Sequence, residues 1–208
     1  MIHGYHVVMT MYGFWLPNNP RGSWSDFVRK WELARFGDAT QNIERKNNTE
    51  LTESQITRHE HAKQKLKYPP VSIDGVQALA IANGFARQAE KSNYTIWACS
   101  VLPDHAHLVI ARHRYKVEQV VNLLKGSSTS NVLAEEVHPL KNYAQPGKRP
   151  PRMWSSRHWK VFLDSETAID EAIHYVEQNP VKEGKPLQHW SFVRPFHGIA
   201  RGAWVTYR

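Results

Sequence analysis

Hydrophobic and polar positions along the chain follow two different periods. Strands are predicted where β-branched and aromatic residues cluster between turn residues, and helices where apolar residues recur every three or four positions. By these rules, strands are predicted over 5–12, 95–102, 106–111 and 159–163, and helices over about 52–67, 76–89, 117–133 and 165–178. The last helix is expected to stop at Asn179-Pro180, because proline disfavours the helical conformation of the residue before it.

The order of these elements predicts the fold class. With the helix of a polar region and the terminal helix set aside, the order is βαββαβ, which is typical of an α+β, ferredoxin-like or RRM-like antiparallel sheet with helices on one face. The terminal helix is an addition to this unit. The 208 residues fit one domain, with a polar insertion at about 18–70 and a basic, aromatic tail at about 185–208.

Two pairs of polar residues interrupt the apolar pattern. His105 and His107 begin an apolar run directly after the predicted turn at Pro103-Asp104. Alternate residues of a strand share a face, so both imidazoles point the same way and can hold one metal ion. On the last predicted helix, Tyr175 and Asn179 lie one turn apart, outside the apolar stripe. A tyrosine and an amide therefore project together from that helix.

The formal net charge of +8 indicates a polyanionic partner, and nucleic acid is the leading candidate. The candidate DNA contacts are Lys148, Arg149, Arg152, Arg157, Lys182 and Arg194. The tail aromatics either stack on the bases of a single strand or pack against the domain. The insertion is either a solvated loop with a surface helix or a flap that contacts DNA. The small hydroxyl residues of segment 126–130 either line a phosphate path or weaken their helix.

Other features narrow the protein class. The single cysteine, Cys99, lies in an apolar run, so we expect core packing and no disulfide framework. The sequence has neither a run long enough to span a bilayer nor a recognisable leader, which predicts a cytoplasmic, nucleoid-associated protein with no membrane partner. His3 and His6 are far from the histidine pair in sequence, and we assign them no catalytic role.

Three segments, taken together, resemble the single-tyrosine HUH transposases of the IS200-like superfamily, and more narrowly their REP-associated tyrosine transposase branch. The segments are VLPDHAHL at 101–108, WSSRHWKVF at 154–162 and YVEQNPVKEG at 175–184. A His-x-His pair alone is a weak signal, but the order and spacing of the three segments match the family across the conserved core, from the first strand to Gly184.

The resemblance implies a site and a reaction. Tyr175 would be the nucleophile, and His105, His107 and Asn179 would hold a divalent metal, Mg or Mn. The substrate would be single-stranded DNA with hairpin-forming ends, and Lys182 is a candidate for phosphate contact. Cleavage would leave a 5′-phosphotyrosine and a free 3′-hydroxyl, and a second 3′-hydroxyl could reverse the step and join strands. Members of the superfamily act as homodimers or as monomers, and both states stay open.

Two other classes of function remain alternatives. A domesticated nucleic-acid-binding domain would keep the fold and the basic surface but would no longer cleave DNA. A metal-dependent hydrolase of a small substrate would act independently of Tyr175, and it would leave the basic tail unexplained.

Overall fold

The computed structural model describes residues 1–14 and 52–199. Its elements, in chain order, are β1 (Gly4–Met11), α1 (Glu53–Gln64), α2 (Gly75–Ser92), β2 (Ile96–Val101), β3 (His105–Ala111), α3 (Val117–Ala134), a 3-10 helix (Lys141–Tyr143), β4 (Trp154–Leu163) and α4 (Glu166–Lys182). Most of the polar insertion predicted at about 18–70 lies outside the described residues, and α1 is part of its remainder. No helix in the described ranges has both the length and the apolar character that a membrane span needs.

The four strands form one antiparallel sheet in the order β2-β3-β1-β4. The central strands are therefore β1 and β3, which the chain contributes first and third among the strands. This order and the βαββαβ sequence of elements confirm the predicted α+β, ferredoxin-like arrangement.

Helices α2 and α3 cover one face of the sheet, and they pack closely against each other. A Cβ atom added to Gly84 of α2 would lie 2.4 Å from the Cα of Ser128 in α3. The hydroxyl of Ser127 donates a 2.7 Å hydrogen bond to the carbonyl of Gly84. The small residues of segment 126–130 thus bring two helices together, and α3 is continuous through them.

Helix α4 packs on the opposite face, across β2 and β3. Its apolar stripe is Ile169, Ala172 and Val176, which join Ala98 and Val109 of the sheet in a second, smaller apolar cluster. The hydroxyl of Ser165 caps the helix by accepting a hydrogen bond from the backbone N–H of Ala168. The terminal helix therefore makes the fold three layers deep.

The fourth strand begins five residues earlier than the sequence pattern predicts. Its pairing with β1 shifts register between Met9 and Met11, which interrupts the alternation of inward and outward residues. Lys125 of α3 stabilises this irregular stretch, because its Nζ donates 2.9 Å hydrogen bonds to the carbonyls of Ser155 and Arg157. Burial lowers the pKa of Lys125 to about 8.

The described part of the C-terminal tail lies along the outer edge of β2. The side chain of Gln188 both accepts from the N–H of Val101 and donates to its carbonyl, each at 2.8 Å. Further along, Val193 forms a parallel bridge with Ile96. The tail therefore covers a strand edge that would otherwise present unpaired backbone groups.

Candidate active site

The two histidines of β3 lie on the face of the sheet that α4 covers. His105 is 6% exposed and His107 is 2% exposed, and their ring centroids are 4.8 Å apart. They share this face with Val109, as the alternation of side chains along a strand requires. The predicted shared orientation of the two imidazoles is thus present in the fold.

Each of these imidazoles has a partner at Nδ1. Nδ1 of His105 is 2.6 Å from Oδ1 of Asp104, and Nδ1 of His107 is 2.9 Å from Nε2 of His6 on β1. Burial lowers the pKa of His6 to about 4, so its ring is neutral at physiological pH. Partners of this kind at one ring nitrogen orient an imidazole that binds a metal through the other nitrogen.

Tyr175 projects from α4 toward the histidines. Its ring centroid is 5.6 Å from that of His107 and 5.6 Å from that of His6. The neighbouring Val176 is fully buried in the apolar stripe, while Tyr175 itself is half-buried. The stripe fixes the rotation of the helix and so directs the phenol over the histidine cluster. The ammonium group of Lys182 lies 4.9 Å from the centroid of the Tyr175 ring.

Asn179 follows Tyr175 by one helical turn and is also buried, at 7% exposed. Its amide Nδ2 makes no hydrogen bond within the described residues. A buried amide without a partner is uncommon, and it indicates that a further group completes its surroundings. Rotation of the amide by 180° exchanges its nitrogen and oxygen, so either atom can be turned to such a group.

These residues fit the donor set of a divalent metal site. Among the residues that the structure describes, no three His, Cys, Asp or Glu side chains are grouped closely enough to hold a metal. A site built on His105 and His107 therefore needs a third donor of another type, and the amide oxygen of Asn179 is such a donor. Two imidazoles with an amide oxygen and open positions suit a metal that also binds phosphate oxygens.

The basic residues predicted to contact DNA divide into two groups. The loop that contains Lys148, Arg149 and Arg152 is exposed, and it joins β4 at the end of the sheet where Asp104 precedes the histidines. The exposed Arg157 follows in β4, and Lys182 lies beside Tyr175. Arg152, Arg157 and Lys182 therefore lie at or near the histidine end of the fold, and Lys148 and Arg149 belong to the loop that leads to it.

Arg194 lies at the other end of the sheet. Its backbone N–H donates to the carbonyl of Ile96, which is opposite Ile110 in the sheet. Ile110 is five residues from His105 along β3, or about 17 Å at the usual rise of a strand. The structure therefore does not bring Arg194 together with the other candidate residues.

The aromatic side chains in the described part of the tail pack against the domain. Trp190 and Phe192 lie on the core beneath α2 and α3, while Phe196 lies on the α4 side with its ring 4.9 Å from that of Trp97. For these residues, the structure supports packing against the domain and not stacking on the bases of a single strand. Trp204 and Tyr207 lie outside the described residues.

His6 belongs to this cluster, although its distance from the histidine pair along the chain predicts no catalytic role for it. Its ring lies between β3 and α4 and contacts both His107 and Tyr175. The regular alternation of β1 places His6 on one side of that strand. Which residues it meets on that side is known only when the neighbouring strand and its register are known.

A tyrosine beside a buried imidazole pair, on a basic protein, is a type of site that suits phosphoryl transfer on a polyanion. Comparison with known proteins agrees with this interpretation. The family model for IS200-like transposases matches residues 62–179, which is more than half of the chain. The chain therefore belongs to the family of IS200-like transposases, and it is an enzyme of DNA transposition. This membership confirms the family to which the three sequence segments point.

Solved structures include similar chains. One is the REP-associated tyrosine transposase bound to a REP hairpin, with 13% sequence identity, a TM-score of 0.45, and coverage of 88% of this chain and 68% of the other. A second is a candidate transposase from Deinococcus radiodurans R1, with 13% identity, a TM-score of 0.41, and coverage of 89% and 92%. Among curated proteins, no sequence matches this chain.

Proposed function

We propose that this transposase cleaves and rejoins single-stranded DNA at hairpin-forming ends, with Tyr175 as the nucleophile and a 5′-phosphotyrosine as the intermediate. The observation that supports this most directly is the contact between Tyr175 and His107, whose ring centroids are 5.6 Å apart. The hairpin is what the resemblance of the three sequence segments implies.

The proposed step exchanges one phosphodiester for another. The phenol oxygen of Tyr175 attacks the scissile phosphorus in line with the 3′-oxygen of the preceding nucleotide, so a bond from phosphorus to the phenol oxygen forms while the bond to the 3′-oxygen breaks. The phenol loses its proton, and the departing 3′-oxygen gains one and leaves as a hydroxyl. Attack by another 3′-hydroxyl reverses the step and joins two strands without a further source of energy.

His105, His107 and Asn179 would hold a divalent metal, for which the resemblance implies Mg or Mn. When bound, such an ion polarises the scissile phosphate and helps to orient it. Asp104 and His6 contact the two imidazoles at Nδ1, which leaves Nε2 of each as the ligating nitrogen. Each imidazole must be unprotonated at its ligating nitrogen to bind the ion, so protons compete with the metal.

Cationic side chains near the site supply the attraction for the DNA backbone. Lys182 lies against the ring of Tyr175, where its ammonium group can contact the phosphate under attack and stabilise developing charge on the phenol oxygen. Lys148, Arg149 and Arg152 are exposed in one loop, which suits contacts to phosphates further along the strand. We therefore expect DNA binding to weaken steeply with salt.

The decisive experiment mixes the protein with Mn²⁺ and an end-labelled single-stranded oligonucleotide that contains a hairpin. Wild-type protein is expected to form a covalent adduct that migrates as protein on a denaturing gel, and Tyr175→Phe is expected to form none. The matched control is Tyr143→Phe, because Tyr143 is an exposed tyrosine in the 3-10 helix.

Each alternative class predicts a different result. An adduct that persists in Tyr175→Phe would contradict the proposed nucleophile. Hairpin binding without cleavage in either Mg²⁺ or Mn²⁺ would instead support a domesticated binding domain. Turnover of a small phosphate ester that does not depend on Tyr175 would support a hydrolase.

A further inference from the structure

His6 stands at the centre of the candidate site, although it belongs to the first strand and lies outside the range that the family model matches. It is 8% exposed, and its ring meets that of His107 edge to edge, with centroids 5.2 Å apart and planes 29° apart. Its ring also lies 5.6 Å from Tyr175 and 5.9 Å from Trp159. His6 therefore touches both halves of the proposed centre, the imidazole pair and the nucleophile.

We propose that His6 is a positioning residue that accepts a hydrogen bond from Nδ1 of His107 and so holds His107 with Nε2 available to the metal. This proposal rests on the function proposed above. A neutral imidazole carries one proton, and a metal can bind only the nitrogen that lacks it. Donation from Nδ1 of His107 to Nε2 of His6, at 2.9 Å, keeps that proton on Nδ1.

The two histidines of β3 are then oriented by different acceptors. His105 is held by a carboxylate, that of Asp104, at the partly exposed end of the strand. His107 is held by the imidazole of His6 in the buried part of the site, next to Tyr175. The partner of His107 therefore comes from a different strand, whereas the partner of His105 is its neighbour in the chain.

The sheet holds His6 in this position without help from the site itself. In the sheet, His6 is opposite Val109 of β3 and Val161 of β4, so its backbone is paired on both sides. Its ring is also enclosed between His107 and Trp159. A partner fixed from two sides can restrict the rotation of His107 before any metal or DNA is bound, which is how preorganised sites limit loss of entropy on binding.

The test compares two substitutions of His6. His6→Gln keeps an acceptor oxygen at roughly the distance of Nε2, whereas His6→Leu keeps the bulk but removes the acceptor. The first readout is Mn²⁺ affinity without DNA, measured by the electron paramagnetic resonance signal of the unbound ion. We expect affinity to fall about 10- to 100-fold in His6→Leu and to recover largely in His6→Gln, because such partners typically contribute that much.

The second readout is the tautomer of His107 in the metal-free protein, observed by the nitrogen chemical shifts of its ring. Wild type and His6→Gln are expected to carry the proton on Nδ1, and His6→Leu is expected to shift protons toward Nε2. The matched control is His113→Leu, because His113 is a half-buried histidine that lies against Tyr94 and Tyr115, away from the site. It should change neither readout.

These outcomes test the positioning role of His6 independently of the proposed function. Wild-type affinity in His6→Leu, equal losses in both variants, or an unchanged His107 tautomer would each overturn the role of His6. If His6→Leu does not fold, His6→Gln and the wild-type tautomer still decide it, since a proton on Nε2 of wild-type His107 contradicts the hydrogen bond. Failure of wild-type protein to bind Mn²⁺ would instead count against the proposed function.

Discussion

The two faces of the sheet use the same strands for different purposes. On the face beneath α2 and α3, the inward residues of β1 and β3 are apolar, and Val7 and Leu108 have no exposed surface. On the face beneath α4, their neighbours His6 and His107 are nearly as deeply buried, yet they are polar. Because side chains alternate along a strand, one strand contributes residues both to the hydrophobic core and to the candidate active site. We expect substitutions on one face to change stability and substitutions on the other to change activity.

The largest predicted effect is on the polar face. His107→Ala is expected to reduce covalent adduct formation by more than about 100-fold, because the loss of a partner to a ligand alone typically costs 10- to 100-fold. The free energy of unfolding is expected to change by less than about 1 kcal/mol, since the substitution removes the cost of burying an imidazole together with its contacts. Gel assays of the adduct and urea titrations measure the two quantities.

The same variant tests whether one chain forms the whole site. Tyr175 contacts His107 within a single chain, so a mixture of His107→Ala and Tyr175→Phe should remain as inactive as either protein alone. Recovery of adduct formation in the mixture would show that the tyrosine acts across a dimer. If His107→Ala lowers the free energy of unfolding by several kcal/mol, this would contradict the expectation that substitutions on the polar face change activity and not stability.

A second prediction concerns the apolar face, where two glycines of the packed helices differ in their surroundings. Gly84→Ala would place a Cβ atom 2.4 Å from the backbone of Ser128, whereas a Cβ atom at Gly126 meets nothing within 4 Å. We expect Gly84→Ala to lower the free energy of unfolding by about 1–3 kcal/mol through overpacking. Gly126→Ala should raise it by about 0.5–1 kcal/mol, because alanine favours helix.

Urea titration measures both changes in the free energy of unfolding. Adduct formation is then measured at a temperature where each variant is folded, which allows its activity to be compared with that of variants on the polar face. Activity per folded molecule is expected to match wild type in both variants. Equal stability changes at the two positions would contradict the close approach of α2 and α3.

The sequence alone predicted the features that depend on short-range pattern. The identity and order of the strands and helices follow from periodicity and caps, and the shared face of His105 and His107 follows from their spacing in one strand. The pairing of Tyr175 with Asn179 follows equally from the helical turn. Such features need no knowledge of which strands are neighbours.

One local prediction is wrong, because α4 continues through Pro180 to Lys182 and does not stop at Asn179-Pro180. The other features that were missed depend on long-range contacts. The contact of His6 with His107 requires that β1 lie next to β3 in one particular register, which only the packed sheet determines. The early start of β4 was missed because a register shift and the buried Lys125 support a stretch that has no regular alternation. The position of Arg194 depends on the path of the tail along β2, and the basic and aromatic composition of the tail does not predict that path.

A smaller effect than that of Gly84→Ala is predicted for Lys125, a charged group buried beneath the apolar face. Its pKa is lowered from 10.5 in an exposed lysine to about 8, so between these values the unfolded chain binds more protons than the folded one. Stability must therefore rise with pH across this window, by about 1 kcal/mol between pH 7.5 and 9. Urea titrations at the two pH values should show that rise reduced by this amount in Lys125→Met. The control is Lys91→Met, because Lys91 is exposed at the end of α2, and it should keep the wild-type pH dependence. An equal rise in Lys125→Met and wild type would show that the buried ammonium group carries no cost, and that this face tolerates charge as readily as the other.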